Sequence, residues 1–172
     1  HADKDSAYAK YMGDAIFKIP TPLMLDKIVT AMDEIYAQAE QLHDTDVRGD
    51  IYEYLLSKIA TAGVNGQFRT PRHIIRMMVD MIAPQADDVI CDPACGTSGF
   101  LVESSEYLRK KKKAEVLFNA KNKEHYMKHM FHGYDMDRTM LRIGAMNMMT
   151  HGVSNPNIEY RDSLSDQNED TT

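Results

Sequence analysis

Apolar residues recur at helical spacing from Thr21 to about Leu42, with Leu25, Ile28, Val29, Met32, Ile35, Tyr36 and Ala39 falling on one face. Thr21 is placed to cap this helix, and Pro22 to occupy its first turn, where a missing N–H is not needed. A second, shorter helix is predicted from Asp50 to Ala60, burying Ile51, Tyr54, Leu55 and Ile59. Gly63 and Gly66 interrupt the pattern. Thr70-Pro71 then repeats the cap-and-proline start before a third helix that carries Ile74, Ile75, Met78 and Ile82.

After Pro84 the periodicity changes. Asp88 to Asp92 is a short apolar run that reads as a buried strand, and Pro93 to Phe100 reads as a tight glycine-containing turn that opens a helix. Residues from Leu101 to about His132 are predicted helical but polar. Phe131 to Asp135 is a second strand, followed by a helix to Thr150 or His151 that Gly152 ends in a left-handed conformation. Asn157 to Arg161 is a third strand, and the acidic tail from Asp162 onward is expected to be loose. A helical region over residues 1–65 followed by strand–helix–strand–helix–strand over 66–172 predicts an α/β fold with a parallel sheet and right-handed crossovers.

Composition narrows the function classes. The chain has 172 residues, 43% hydrophobic and 27% charged, enough for one sizeable domain or two small ones. No apolar run reaches the length of a membrane span, and the opening residues lack the pattern of a signal peptide, so a cytoplasmic location without membrane contact is expected. The only cysteines, Cys91 and Cys95, form no disulfide framework and fit a reducing compartment. A formal charge of −6 excludes a chain that grips nucleic acid over its whole surface.

The chemistry gathers at strand ends. Open parallel sheets bind ligands beyond the carboxyl ends of their strands, and Asp92, Asp135 and Asp162 stand at those positions. Glycines in the turn after Asp92 let backbone approach a ligand, the helix that follows offers free N–H groups, and a carboxylate such as Asp135 can accept both hydrogen bonds of a ribose diol. These features point to nucleoside recognition. A dinucleotide site would carry Gly-x-Gly-x-x-Gly with its acid about twenty residues on. Gly96-Thr97-Ser98-Gly99 departs from that pattern, and no Gly-Lys-Ser/Thr follows to make a phosphate loop.

The run Asp92-Pro93-Ala94-Cys95-Gly96-Thr97-Ser98-Gly99-Phe100 resembles the first motif of DNA amino-methyltransferases, in the form used by methylation subunits of type I restriction-modification systems. Gly66-Gln67-Phe68-Arg69-Thr70-Pro71-Arg72 is similar to the cofactor motif that lies just upstream in that family. Gly133-Tyr134-Asp135-Met136-Asp137 and Arg161-Asp162-Ser163-Leu164 continue the series in the family's order, so the resemblance covers roughly Asp46 to Ser165. It implies a helical N-terminal region followed by the first part of a Rossmann-like class I methyltransferase sheet. The cofactor it implies is S-adenosylmethionine.

The resemblance assigns Gln67, Phe68, Arg69, Thr70, Pro71 and Arg72 to the methionine carboxylate. It sets Asp92, Thr97, Ser98 and Gly99 around the amino group and sulfonium, Asp135 at the ribose and Asp162 at the adenine amine, and it counts Ala94, Phe100 and Ser163 among the cofactor-binding residues. The family often has Glu at the position of Asp135. Its catalytic Asn-Pro-Pro-aromatic motif is absent from these residues; the only Asn-Pro, Asn155-Pro156, precedes the third strand and reads as a turn. The expected function is therefore the cofactor-binding part of a DNA adenine-N6 methyltransferase, inactive alone, acting with a DNA-specificity subunit and a restriction subunit. The alternatives are a non-catalytic subunit-assembly module or a methyltransferase for another substrate. With the first strand at an edge, the isolated chain is also expected to self-associate.

The remaining features have plainer readings. Cys91 and Cys95 are expected to be packing residues and not metal ligands. His125, His129 and His132, together with the basic run Arg109 to Lys113, are expected on solvated faces. Met136, Met140, Met146, Met148 and Met149 are expected to fill core gaps.

Overall fold

The computed structural model describes residues 7–13, 15–16, 18–41, 51–52, 54, 56 and 70–165. Its elements, in chain order, are α1 (Ala7–Met12), α2 (Pro22–Gln41), α3 (Arg72–Ile82), β1 (Ile90–Asp92), α4 (Gly99–Lys111), α5 (Lys113–Leu117), α6 (Ala120–Lys128), β2 (Phe131–Asp135), α7 (Arg138–Thr150) and β3 (Asn157–Tyr160). The three strands form one parallel sheet in the order β1-β2-β3. Ile90 stands opposite Phe131, and Asp135 opposite Tyr160. This is the α/β architecture that the pattern predicts. The boundary at residues 65/66 and the acidic tail beyond Ser165 lie outside the described residues.

The core forms where α4 and α7 meet the sheet. Leu101, Leu108, Val116, Tyr126, Met130, Phe131, Ala145, Met148 and Ile158 are all buried there, each large side chain contributing about 1.5–3 kcal/mol. The Tyr126 and Phe131 rings pack edge to face with centroids 5.4 Å apart.

Local signals explain most element ends. Asn119 accepts from the Lys121 and Asn122 amides at the start of α6, and Asp137 accepts from Thr139 and Met140 at the start of α7. Gly152, at φ 87°, follows α7, and the Gly152 and Val153 amides donate back to Met149 and Met148. Thr21 Oγ1 accepts from the Met24 amide as expected. Thr70 does not cap α3, because Pro71 takes the N-cap position and offers no side-chain hydrogen bond.

Other expectations need correction. Leu25, Ile28 and Val29 of α2 are exposed, so the apolar stripe of that helix is not core among the described residues. In the second predicted helix, Ile51 is half-buried, but Tyr54 is exposed and Leu56 is buried in its place; Leu55 and Ile59 lie outside the described residues. β1 covers only Ile90–Asp92, and it is an edge strand with exposed Cys91, not a fully buried one. The segment from 101 to 132 divides into three helices, and its first is not solvated: Glu103, Ser104, Ser105 and Glu106 are buried. The two glutamates are paired there with arginines of α3 and with Lys110 of α4 itself. Arg72 Nη2 donates to Glu106 at 2.8 Å, Arg76 Nε donates to Glu103 at 2.9 Å, and Lys110 Nζ donates to Glu106 at 2.7 Å.

Three members of the basic run are thus tied to the fold. Besides Lys110, Arg109 donates to the His151 carbonyl at 2.8 Å and Lys112 donates to Gln85. Met140 and Met148 do fill the core, whereas Met136 is exposed. His125 and His132 bond to the Asp88 and His129 carbonyls. No described helix is long and apolar enough to cross a membrane.

Candidate functional site

Three turns at the carboxyl ends of the strands are bound to one another. The turn after β1 is pinned to β2: Cys95 N–H donates to the Tyr134 carbonyl at 2.9 Å, and Gly96 N–H donates to Asp135 Oδ2 at 3.0 Å. The turn after β3 closes onto the same place, with Ser163 Oγ donating to the Pro93 carbonyl at 2.6 Å. The turns that carry Asp92, Asp135 and Asp162 are therefore joined at the same end of the sheet. Asp162 Oδ1 accepts from the Leu164 amide at 3.0 Å, which shapes its own turn.

Asp92 and Asp135 have different surroundings. Asp135 accepts from Gly96 N–H with one oxygen and from Asp137 N–H, at 2.8 Å, with the other. It has a structural duty in holding the turn, and each oxygen keeps a second lone pair for a ligand. Among the described residues Asp92 accepts only from the Ala94 amide, at 3.1 Å. Burial lifts its carboxyl above the usual range, the Ala94 bond opposes this, and the charge on Asp135 adds to it. No basic side chain pairs with Asp92 among the described residues.

The turn itself is strained and tightly placed. Ser98 takes a left-handed conformation at φ 62°, which costs about 1–2 kcal/mol for a residue with a Cβ. Gly96, at φ 51°, has no heavy atom within 4 Å of where a Cβ would stand, so its backbone faces open space. Gly99 begins α4 against the Ile75 side chain, and the Ser98 N-cap makes no side-chain bond to the helix. Burial pushes the Cys95 thiol up to about 12, which makes it a packing group. Cys91 is exposed, contrary to the packing reading. Among the described residues no group of His, Cys, Asp or Glu is arranged to hold a metal.

The upstream motif is only partly described. Gln67, Phe68 and Arg69 lie outside the described residues. Thr70 is exposed before α3, and the Pro71 carbonyl accepts from Ile74 and Ile75. Arg72 pairs with Glu103 and Glu106 on α4. Phe100 and Asp92 border an apolar groove of about 410 Å³ on the β1 side, together with Met78, Ile82, Val89 and Pro93. Sequence reasoning missed Gly144 and Asn147 of α7, which stand directly behind the turn. Gly144, a glycine inside a helix, was the available signal; Asn147 offered none. Asn155-Pro156 is a turn as expected: the Asn155 amide donates to Met127, and Pro156 is buried before β3, at the strand ends opposite the cleft.

Comparison with known proteins gives this arrangement a family. A model described as N-6 DNA Methylase matches residues 43–172. The methylase subunit of the type I restriction enzyme StySPI from Salmonella potsdam is 30% identical over 138 residues, covering 78% of this chain and 26% of its own length. That of EcoEI from Escherichia coli is 28% identical over 144 residues, covering 83% of this chain and 28% of its own length. Among solved structures, a modification subunit of a putative type I restriction enzyme from Vibrio vulnificus YJ016 superposes with a TM-score of 0.57 at 31% identity, over 73% of this chain and 25% of that one. A chain from a structure concerning complex assembly and conformational transition of the type I R-M system gives a TM-score of 0.68 at 26% identity, over 90% of this chain and 31% of that one. The chain thus spans about a quarter to a third of the length of these relatives, and it belongs to the N-6 DNA methylase family, where it is similar to the methylation subunits of type I restriction enzymes.

Proposed function

We propose that the cleft at the ends of β1, β2 and β3 binds S-adenosylmethionine, and that the protein containing this chain transfers its methyl group to adenine N6 in DNA. The observation that carries this reading is Asp92: a partly buried carboxylate, raised by burial and by its neighbour Asp135, with no basic side chain paired to it among the described residues. Such a carboxylate favours a ligand bearing a sulfonium and an ammonium. Gly96 leaves the space that ligand needs, the remaining lone pairs of Asp135 suit ribose hydroxyls, and Asp162 is assigned to the exocyclic amine. The bound cofactor would supply an electrophilic methyl group; the chain's residues hold it and fix its orientation. Gln67, Phe68, Arg69, Thr70 and Pro71 complete the binding assignment on the carboxylate side. Arg72 would have to leave its glutamate partners to join them.

On this reading the 172 residues bind cofactor without methylating DNA, because they contain no Asn-Pro-Pro-aromatic motif. DNA, a DNA-specificity subunit and a restriction subunit are the proposed partners, in the cytoplasm. Titration of S-adenosylmethionine by calorimetry tests the site. Asp92→Asn is expected to weaken binding by about tenfold or more, the scale of a lost charge-assisted contact. The ligand-free Asp92→Asn protein is expected to melt no lower than the wild type. The sign follows from the raised carboxyl: the folded state favours the neutral form, so the charged group opposes folding at neutral pH and is relieved as pH falls. Wild-type protein that binds no cofactor refutes the proposal, and equal affinity of the variant removes Asp92 from the site.

A further inference from the structure

We infer that Asn147 is a positioning residue for the turn that follows β1, an inference that rests on the cofactor reading of that turn. Asn147 is fully buried on α7, and its Nδ2 donates to the Thr97 carbonyl at 2.8 Å. On the other side of the same peptide, Ser98 N–H donates to the Cys95 carbonyl at 2.6 Å. The Thr97–Ser98 peptide is thereby held at both ends, and this is the peptide that leads into the left-handed Ser98. A strained conformation persists only where its surroundings over-determine it. Here Asn147 is the side chain that does so.

The helix behind the turn is built for the contact. A Cβ at Gly144, one turn before Asn147, would lie 2.5 Å from Ser98 Oγ and 3.0 Å from the Gly96 carbonyl. Glycine in a helix interior is unfavourable by itself, so its presence reports how closely the turn packs on α7. The far end of α7 is fixed in turn. His151 Nδ1 donates to the Asn147 carbonyl at 2.8 Å, and Arg109 of α4 donates to the His151 carbonyl at 2.8 Å. α4 begins at the turn and its last residues secure α7, so the two helices that flank the turn hold Asn147 at a fixed distance from Thr97. Gly144, Asn147 and His151 are all buried. Asn147 acts on the ligand through the backbone at 96–99.

Two measurements on the whole protein test this. The first is S-adenosylmethionine affinity by calorimetry. Asn147→Ala is expected to weaken binding about tenfold, the equivalent of one lost buried hydrogen bond. Adding Ser98→Gly, which accepts the left-handed conformation without strain, should recover most of that loss. A merely structural role for Asn147 would give no such rescue, and lack of rescue overturns the inference. The second is amide hydrogen exchange without ligand. Asn147→Ala should expose the Ser98 and Gly96 amides to exchange at least about tenfold faster while the Gly133 amide in β2 is unchanged.

Wild-type protein that fails to bind cofactor would refute the cofactor proposal alone, and the exchange measurement would still decide the role of Asn147. If Asn147→Ala does not fold, Gly144→Ala presses on the same turn from the same helix. It should weaken binding and speed Ser98 exchange, with Ser98→Ala restoring both in part. Unchanged affinity and exchange in the folded variants would overturn the inference.

Discussion

The two edges of the sheet are finished in different ways. At β3, α1 delivers Tyr11, whose hydroxyl donates to the Ile158 carbonyl at 2.7 Å and accepts from the Ile158 N–H at 3.0 Å. One phenol replaces a neighbouring strand at that residue. Arg142 Nε, donating to the Tyr11 carbonyl at 2.9 Å, holds the segment in place, and Tyr52 donates to the Ile143 carbonyl at 3.0 Å on the same helix α7. At β1 no strand pairs with the outer side among the described residues. The flank there is an apolar groove bordered by Met78, Ile82, Val89 and Phe100, with α3 held to α4 by ion pairs whose arginines are half exposed. Hydrogen bonds to buried backbone close one edge, while solvent-reachable charges and apolar side chains leave the other ready to be covered. An edge of the second kind is the one prone to association.

The largest effect is expected at the closed edge. Tyr11→Phe leaves the packing and removes the hydroxyl, so the Ile158 N–H and carbonyl lose their partner inside the protein. That should lower unfolding stability by about 1–3 kcal/mol. Urea denaturation followed by circular dichroism measures it, and a loss below about 0.5 kcal/mol would mean that the β3 edge does not depend on this contact.

A smaller effect is expected where α3 meets α4. Burial alone would raise the Glu106 carboxyl, but Lys110, Arg72 and His151 together outweigh it and hold it below its ordinary value. A depressed carboxyl stabilises the fold above its unfolded-state value, and that contribution fades as pH falls through the range below it. Glu106→Gln should therefore destabilise the protein by about 1 kcal/mol at neutral pH, discounted for the exposure of its partners, and the difference should shrink in acid and in high salt. Melting curves across pH and salt give the comparison. A loss insensitive to both would show packing, and not charge, holding this flank.

These contrasts mark how far the sequence could be read. The strands, the left-handed Gly152 and the acids at the strand ends were legible because alternation, capping and strand-end chemistry are local. The burial of Glu103 and Glu106 was not, since their partners Arg72 and Arg76 arrive from another helix and helical periodicity counts a carboxylate as surface. The exposure of α2's apolar face was hidden for the converse reason: periodicity reports that a face is apolar, and says nothing of what covers it. Asp135 was legible as a strand-end acid, but its two amide bonds depend on the turn after β1 folding back onto β2. Asn147 is invisible for the same reason, because its partner is a backbone carbonyl distant in sequence.

The smallest effect concerns the two cysteines, which lie at the ends of this contrast. Cys91 is exposed on β1, and Cys95 is buried where the turn meets β2. Burial raises both thiols, and the charge on Asp92 adds to it in each case, with Cys95 pushed up to about 12. Thiolate is the reactive form, so alkylation of the native protein by iodoacetamide should be slow near neutral pH and faster in mild alkali, at Cys91 alone. Intact-mass spectrometry should find a single adduct, and Cys91→Ser should change stability by less than about 0.5 kcal/mol, as befits a surface position. Two adducts on folded protein would mean that the turn opens readily and that the open edge extends inward to Cys95. A single adduct at Cys91 that disappears when a partner protein is added would locate the cover of the β1 edge.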